Sequence, residues 1–161
     1  MSHSAIPSRA AGIIIHENQL LVIYRKKNDS QYYTFPGGTV EDCESTEACA
    51  LREIVEETSI HSVIKQLVYQ VEVHHAHGAK IEYFYTADYI SGTPKLQLSS
   101  IEASRSSNNN IYRPMWIPLD KLKDIPLYPI EIRNRLIQDL KNGFCTETYF
   151  LSLPKNAMQN S

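Results

Sequence analysis

The chain has 161 residues, 42% of them hydrophobic and 21% charged, and a formal net charge of -2. That is the size and composition of one globular domain with its own core. The near-neutral balance excludes a broad basic footprint for duplex nucleic acid, and no apolar run approaches the roughly 20 residues a membrane span needs. In chain order, Met1 to Arg9 is polar, carries Pro7 and lacks the apolar stretch of a secretory signal. We expect a single domain over 1–161, with flexible tails at 1–9 and 154–161. Gly12 to His16 and Leu20 to Tyr24 are short apolar runs separated by Glu17, Asn18 and Gln19, the pattern of a β-hairpin. Arg25 to Ser30 reads as charged and turn-forming. Tyr32 to Phe35 reads as a strand that stops at Pro36-Gly37-Gly38.

Ser45 to Thr58 is the clearest helix: Ser45 suits the N-cap and Glu47 the first turn. At about 100° per residue, Ala50, Leu51, Ile54, Val55 and Thr58 form an apolar stripe that must pack on a sheet. Glu53, Glu56 and Glu57 are then expected to face outward. Val63 to His74 and Lys80 to Ile90 alternate with period two, joined by a hairpin tip at His75 to Ala79. Leu67, Tyr69, Val71 and Val73 are expected to share one face. Residues 91–111 are rich in Ser, Asn, Gly and Pro and predict a long loop with a short strand near Lys95 to Leu98; a loop of that length is often functional. Pro114 to Leu119 predicts a strand. A second helix starts near Pro129 and ends near Lys141, with Gly143 as its C-terminal cap. Strands interleaved with two helices give an α/β class, a mixed sheet covered by helices.

The chemistry is concentrated between Gly37 and Thr58. Glu53, Glu56 and Glu57 stand at i, i+3 and i+4, on one helical flank, with Glu44 upstream. Like charges so close repel, and a helix built only for stability has little reason to collect them. A divalent cation converts the repulsion into ligation, and hard oxygen ligands suit Mg²⁺ or Mn²⁺. A solvated acidic face is the plainer reading of the glutamates alone. The adjacent Pro36-Gly37-Gly38, whose bare backbone can approach a metal or a phosphate, favours the former. Arg52 is placed to hold Glu56 across one turn.

These residues resemble the Nudix box: Gly38, five residues, Glu44, seven residues, then Arg52-Glu53-Ile54-Val55-Glu56-Glu57-Thr58-Ser59-Ile60. Every specified position of that pattern matches except the late Gly, which is Ser59 here, at a site expected to want a left-handed backbone. Cys43 also stands where relatives often carry Gly. The resemblance implies a Nudix-type α/β/α sandwich and Mg²⁺-dependent hydrolysis of a nucleoside diphosphate linked to another group, a nucleoside triphosphate or a related nucleotide. It implies Glu53, Glu56, Glu57 and the Gly37 carbonyl as metal ligands, with Arg52 and Glu44 positioning them. The base that activates water is Glu53 or a loop glutamate, for which Glu102 is best placed by chain order. Arg25 either grips a phosphate or is a surface charge. Tyr33 and Phe35, with Tyr32, flank Gly38 and either stack on a base or fill the core.

Segments that mark the ADP-ribose, diadenosine polyphosphate, NADH and coenzyme A subgroups are not visible. The partner implied is a small-molecule nucleotide, with neither duplex nucleic acid nor membrane; a homodimer is one assembly the sequence allows. The alternative function is an inactive nucleotide-sensing module on the same fold, disfavoured because all four box carboxylates are kept. His74, His75 and His77 read as exposed turn residues rather than a metal cluster, and Trp116 as core rather than a stacking platform. Cys43, Cys49 and Cys145 lack metal-ligand spacing and read as free thiols of a cytoplasmic protein.

Overall fold

The computed structural model describes residues 7–97, 107 and 109–154. The first hairpin pairs β1 (Ser8–His16) with β2 (Gln19–Lys27) through Glu17 and Asn18, both at positive φ, the geometry a two-residue turn requires. β2 runs on through Arg25, Lys26 and Lys27, which the sequence assigned to a turn, because β3 (Ser30–Thr34) pairs with it residue for residue. After β4 (Gly37–Thr39) comes helix α1 (Thr46–Thr58). Ser45 caps it, its hydroxyl accepting the Ala48 N–H at 3.0 Å. The helix ends at Ser59 in the left-handed region at φ 61°, donating to the Val55 carbonyl.

The long strands β5 (His61–His75) and β6 (Gly78–Ser91) form an antiparallel hairpin, followed by β7 (Asn110–Pro118), a 3₁₀ helix (Leu119–Asp124), β8 (Leu127–Tyr128), α2 (Ile130–Asn142) and β9 (Tyr149–Pro154). The nine strands run in the order β8-β3-β2-β1-β6-β5-β9, with β4 on β1 and β7 on β2. β1 is the hub: parallel to β6, antiparallel to β4 and β2.

Alternation along β1 sends its side chains to two cores. Ala10 and Ile14 lie on the side of α1, with Cys49, Ala50, Ile54 and Ile60; Ala11 and Ile13 lie on the other, with Phe35, Phe84 and, from α2, Ile132 and Leu136. Helices thus cover both faces of a mixed sheet, the α/β/α arrangement anticipated from the sequence.

Four expectations need correction. A β-bulge between Leu67 and Tyr69 switches faces: Leu67 pairs with Tyr85 and packs on the α1 side, whereas Tyr69 pairs with Phe84 and packs on the α2 side, so Leu67 does not share a face with Tyr69, Val71 and Val73. Ser8 and Arg9 belong to β1 rather than a tail. Tyr149–Pro154, given no element by the sequence, is an edge strand parallel to β5. Lys95 to Gln97 is not a strand; Leu98, the other end of that expected strand, lies outside the described residues. Among the described residues no helix is long and apolar enough to cross a membrane.

Candidate active site

The buried side of α1 is rotated from the apolar stripe. Cys49, Ala50, Glu53, Ile54, Glu57 and Thr58 are buried, while Leu51 and Val55 are half-exposed. Glu53 and Glu57 are 7% and 5% exposed, so two of the three glutamates expected to face outward lie inside. The covering element is β4, and it works because it is glycine. A Cβ on Gly38 would fall on the Glu53 carboxylate, 2.7 Å from Oε2 and nearer still to Oε1 and Cδ. The Gly37 N–H donates to Glu57 Oε1 at 2.9 Å.

The ladder explains the Gly37 geometry. Pro36 accepts from Gly12 and Val40 donates to Ser8, so even-numbered positions of this segment bond to β1. Gly37 is therefore in a non-bonded pair with Ala11, with its N–H and C=O directed away from β1, on the side where Glu57 is met.

Arg52 ties the remaining carboxylates together. Its Nε and one terminal nitrogen fork onto Glu44 at 2.7 and 3.1 Å; the other terminal nitrogen donates to Glu53 at 2.8 Å and Glu56 at 3.2 Å. The Thr39 carbonyl accepts a further bond at 3.1 Å. One planar guanidinium thus serves three carboxylates, which lysine could not do. Hydrogen bonding from Arg52 holds the Glu44 carboxyl down at about 2; Glu44 in turn pushes the Arg52 guanidinium upward. The Glu41 N–H donates to Glu44 at 3.0 Å, and Cys43 adopts φ 63° in this turn, the backbone that glycine would favour. Cys49, packed beneath, has its thiol raised to about 11, first by burial and then by the Glu44 charge.

Among the described residues no three carboxylate, imidazole or thiolate side chains close around one point. Glu53, Glu56 and Glu57 instead form a shelf along β4. Mg²⁺ characteristically takes one or two carboxylates, waters and substrate phosphates rather than a closed protein cage, and a shelf of hard oxygens beside bare glycine backbone fits that ion.

The other sequence candidates are divided. Arg25 is not a plain surface charge. Its guanidinium lies 3.6 Å from the Tyr112 ring centroid and 5.7 Å from that of Tyr32, on the same face of β2 as Leu21, which packs on the α1 side. Among the described residues its buried Nε has no hydrogen-bond partner, and a terminal nitrogen reaches Asn110 at 3.5 Å. Tyr33 points to the opposite face, tilted against Tyr24, and packs on the α2-side core. Phe35 belongs to that core, 2% exposed and edge-on to Phe84, which is the core-filling one of its two readings. Trp116 is partly buried against Tyr89 and His16. Glu102 lies outside the described residues. Before it, Lys95 and Gln97 donate backbone N–H groups to the Thr58 and Glu56 carbonyls at 2.9 and 3.2 Å, satisfying acceptors orphaned at the helix end. Sequence reasoning passed over Thr39 and Arg9–Glu82; Thr39 was signalled only by following the glycine pair.

A family model described as NUDIX domain matches residues 6–138. A Methanocaldococcus jannaschii protein named ADP-ribose pyrophosphatase is 35% identical over 103 residues, 62% of this chain and 61% of that protein, so the match spans less than two thirds of that relative. A Bacillus subtilis protein provisionally named 8-oxo-dGTP diphosphatase is 28% identical over 133 residues, 81% of this chain and 77% of its own. The crystal structure of a NUDIX hydrolase from Nitrosomonas europaea superposes with a TM-score of 0.70 at 16% identity, covering 96% of this chain and 82% of that one, a likeness of fold.

Proposed function

This chain belongs to the NUDIX family, and from that premise we propose that it hydrolyses a diphosphate linkage in a nucleoside diphosphate bonded to another group, with Mg²⁺, or Mn²⁺ in its place, as cofactor. The observation that carries the reading is the shelf of Glu53 and Glu57 buried against Gly37 and Gly38, beside Glu56 and ordered by Arg52. Two buried carboxylates and a third beside them concentrate like charge on one turn of α1, a set of hard oxygens that a divalent cation converts from repulsion into ligation.

When bound, the metal supplies charge neutralisation on the diphosphate and lowers the pKa of the attacking water. Glu53, Glu56, Glu57 and the Gly37 carbonyl are the residues that would hold it. Gly38, lacking a side chain, lets phosphate oxygens approach the backbone. Arg25, oriented by Tyr112 and Tyr32, would meet phosphate charge with its guanidinium, a role supported by its buried Nε having no partner among the described residues. Water attacks phosphorus, the bridging oxygen leaves with the departing phosphate, and the water's proton goes to a base, Glu53 or Glu102. That the relatives carry names of an ADP-ribose pyrophosphatase and a nucleotide diphosphatase supports a nucleotide substrate.

The test is product release from a panel of nucleoside triphosphates, ADP-ribose and dinucleoside polyphosphates, with Mg²⁺, with Mn²⁺ and after exhaustive chelation. Cleavage of at least one substrate that stops on chelation is the expected result. Binding without cleavage throughout makes the chain a nucleotide-sensing module, and full activity after chelation removes the metal. Comparing kcat in Glu53→Gln and Glu102→Gln assigns the base, whose loss costs on the order of 10²–10⁴-fold.

A further inference from the structure

Ser59 stands where the box pattern has glycine, and its backbone is left-handed at φ 61°, a conformation that costs a residue with a side chain free energy. The side chain makes a bond that glycine cannot: the Ser59 hydroxyl donates to the Lys95 carbonyl at 2.8 Å. Lys95 lies in a segment, residues 92–97, that has no regular secondary structure and follows the C-terminal end of α1. Gly92 begins it hard against the Ser59 backbone, since a Cβ there would fall 2.5 Å from the Ser59 carbonyl oxygen. The Tyr89 hydroxyl donates to the Gly92 carbonyl at 2.9 Å. Further along, the Lys95 N–H donates to the Thr58 carbonyl at 2.9 Å and the Gln97 N–H to the Glu56 carbonyl at 3.2 Å.

One carboxylate depends on this arrangement more than the others. In a continued helix the Glu56 carbonyl would accept the Ile60 N–H. That N–H donates instead to the Thr58 hydroxyl at 3.1 Å, and Gln97 takes its place. Glu57 has a tether of its own in the Gly37 N–H. The Glu56 side chain is half-exposed, and its 3.2 Å bond from Arg52 is the longest that this guanidinium makes to a carboxylate. A last helical turn without partners for its carbonyls frays. We propose that Ser59 is a positioning residue: through Lys95 its hydroxyl fixes residues 92–97 against the last turn of α1, and so holds Glu56 where it meets the metal. Glycine here would keep the backbone and lose the bond. Ligand geometry tolerates displacements of only about 0.5 Å, less than a frayed turn moves. The inference rests on the metal reading proposed above and adds to it a residue outside the ligand set.

The experiment compares wild type, Ser59→Gly and Ser59→Ala by thermal melting, amide hydrogen exchange and Mn²⁺ binding without substrate, read from the electron paramagnetic resonance signal of the free ion. Both variants lose the hydroxyl, but only glycine relieves the left-handed backbone, so Ser59→Gly should melt above Ser59→Ala. If fold stability were the whole role of Ser59, Mn²⁺ affinity would follow the melting temperatures. The expected result differs: both variants bind Mn²⁺ about 2- to 10-fold more weakly than wild type, the range for one neutral hydrogen bond, and the Lys95 and Gln97 amides exchange faster in each. Wild-type Mn²⁺ affinity in Ser59→Gly, unchanged exchange at those two amides, or affinities that track melting temperature across the three proteins overturns the proposal. A wild type that binds no Mn²⁺ sinks the metal reading and takes this inference with it, whereas equal binding by all three proteins sinks this inference alone.

Discussion

Adjacent glycines in β4 should fail in different ways when each is given a methyl group. At Gly38 the added Cβ lands on the Glu53 carboxylate, 2.7 Å from Oε2. An ordinary contact needs about 3.5 Å, so the carboxylate must retreat on the order of 1 Å. It is the far end of a flexible side chain and can do so, giving up its 2.8 Å bond to Arg52. A misplacement of that size at a reacting centre costs about 10²-fold in rate, whereas stability should stay within about 1 kcal/mol of wild type. At Gly37 the Cβ meets the Ala10 carbonyl oxygen at 2.5 Å and Ala11 Cα at 2.8 Å, both backbone atoms of β1. Nothing there can swing aside, so β4 and β1 must part, at about 1–3 kcal/mol. For a chain of this size each kcal/mol lowers Tm by about 2–4 °C. Thermal melts beside kcat and the Mg²⁺ concentration for half-maximal rate separate the cases. Wild-type turnover in Gly38→Ala, or equal destabilisation in both variants, would refute the reasoning.

Glu57→Gln keeps an oxygen that can accept the Gly37 N–H, so it should fold with nearly unchanged Tm while turnover is almost abolished; an unfolded protein, or normal turnover at low Mg²⁺, would count against the assignment. Arg52→Lys retains the charge but not the fork onto Glu44, and urea unfolding should show a loss of about 1–3 kcal/mol, an unchanged midpoint being the contrary result. The Tyr69 phenol is held above its usual range, first by burial and then by its 2.7 Å bond to Asp139. The folded protein therefore keeps a proton that the unfolded chain releases above about pH 10. The stabilisation is complete below that pH and is lost as pH rises through the folded value. Tyr69→Phe should cost about 1 kcal/mol near pH 8 and decline less steeply than wild type between about pH 9.5 and 11; parallel alkaline declines would exclude it.

Local features were the legible ones. The Ser45 cap, the left-handed backbone at Ser59 and the Glu17-Asn18 turn each follow from a few neighbouring residues, and the structure has all three. The burial of Glu53 and Glu57 was not legible, because periodicity counts glutamate as a solvent residue and cannot see that a glycine strand 15 to 20 positions upstream will cover it. Strand β9 joins β5 in parallel across about eighty residues, a pairing no local pattern announces. The bulge at Leu67 and Tyr69 reverses alternation with no turn residue to mark it. The burial of Glu82 had a signal that went unread: in an alternating strand it occupies the same face as Phe84.

The last turn of α1 is closed by strangers. Its Glu56 and Thr58 carbonyls are met by Gln97 and Lys95, and the Ser59 hydroxyl donates to the Lys95 carbonyl at 2.8 Å. The hairpin between them is therefore a loop with a clasp, and the clasp sits on the helical turn that presents Glu56 and Glu57. Extra residues at the Ala76-His77 tip lengthen the loop without touching the clasp, and closure entropy grows only slowly with length. A single residue deleted between Gly92 and Lys95 shifts the register of both N–H donors. The same hairpin is thus permissive at its far end and unforgiving at its root.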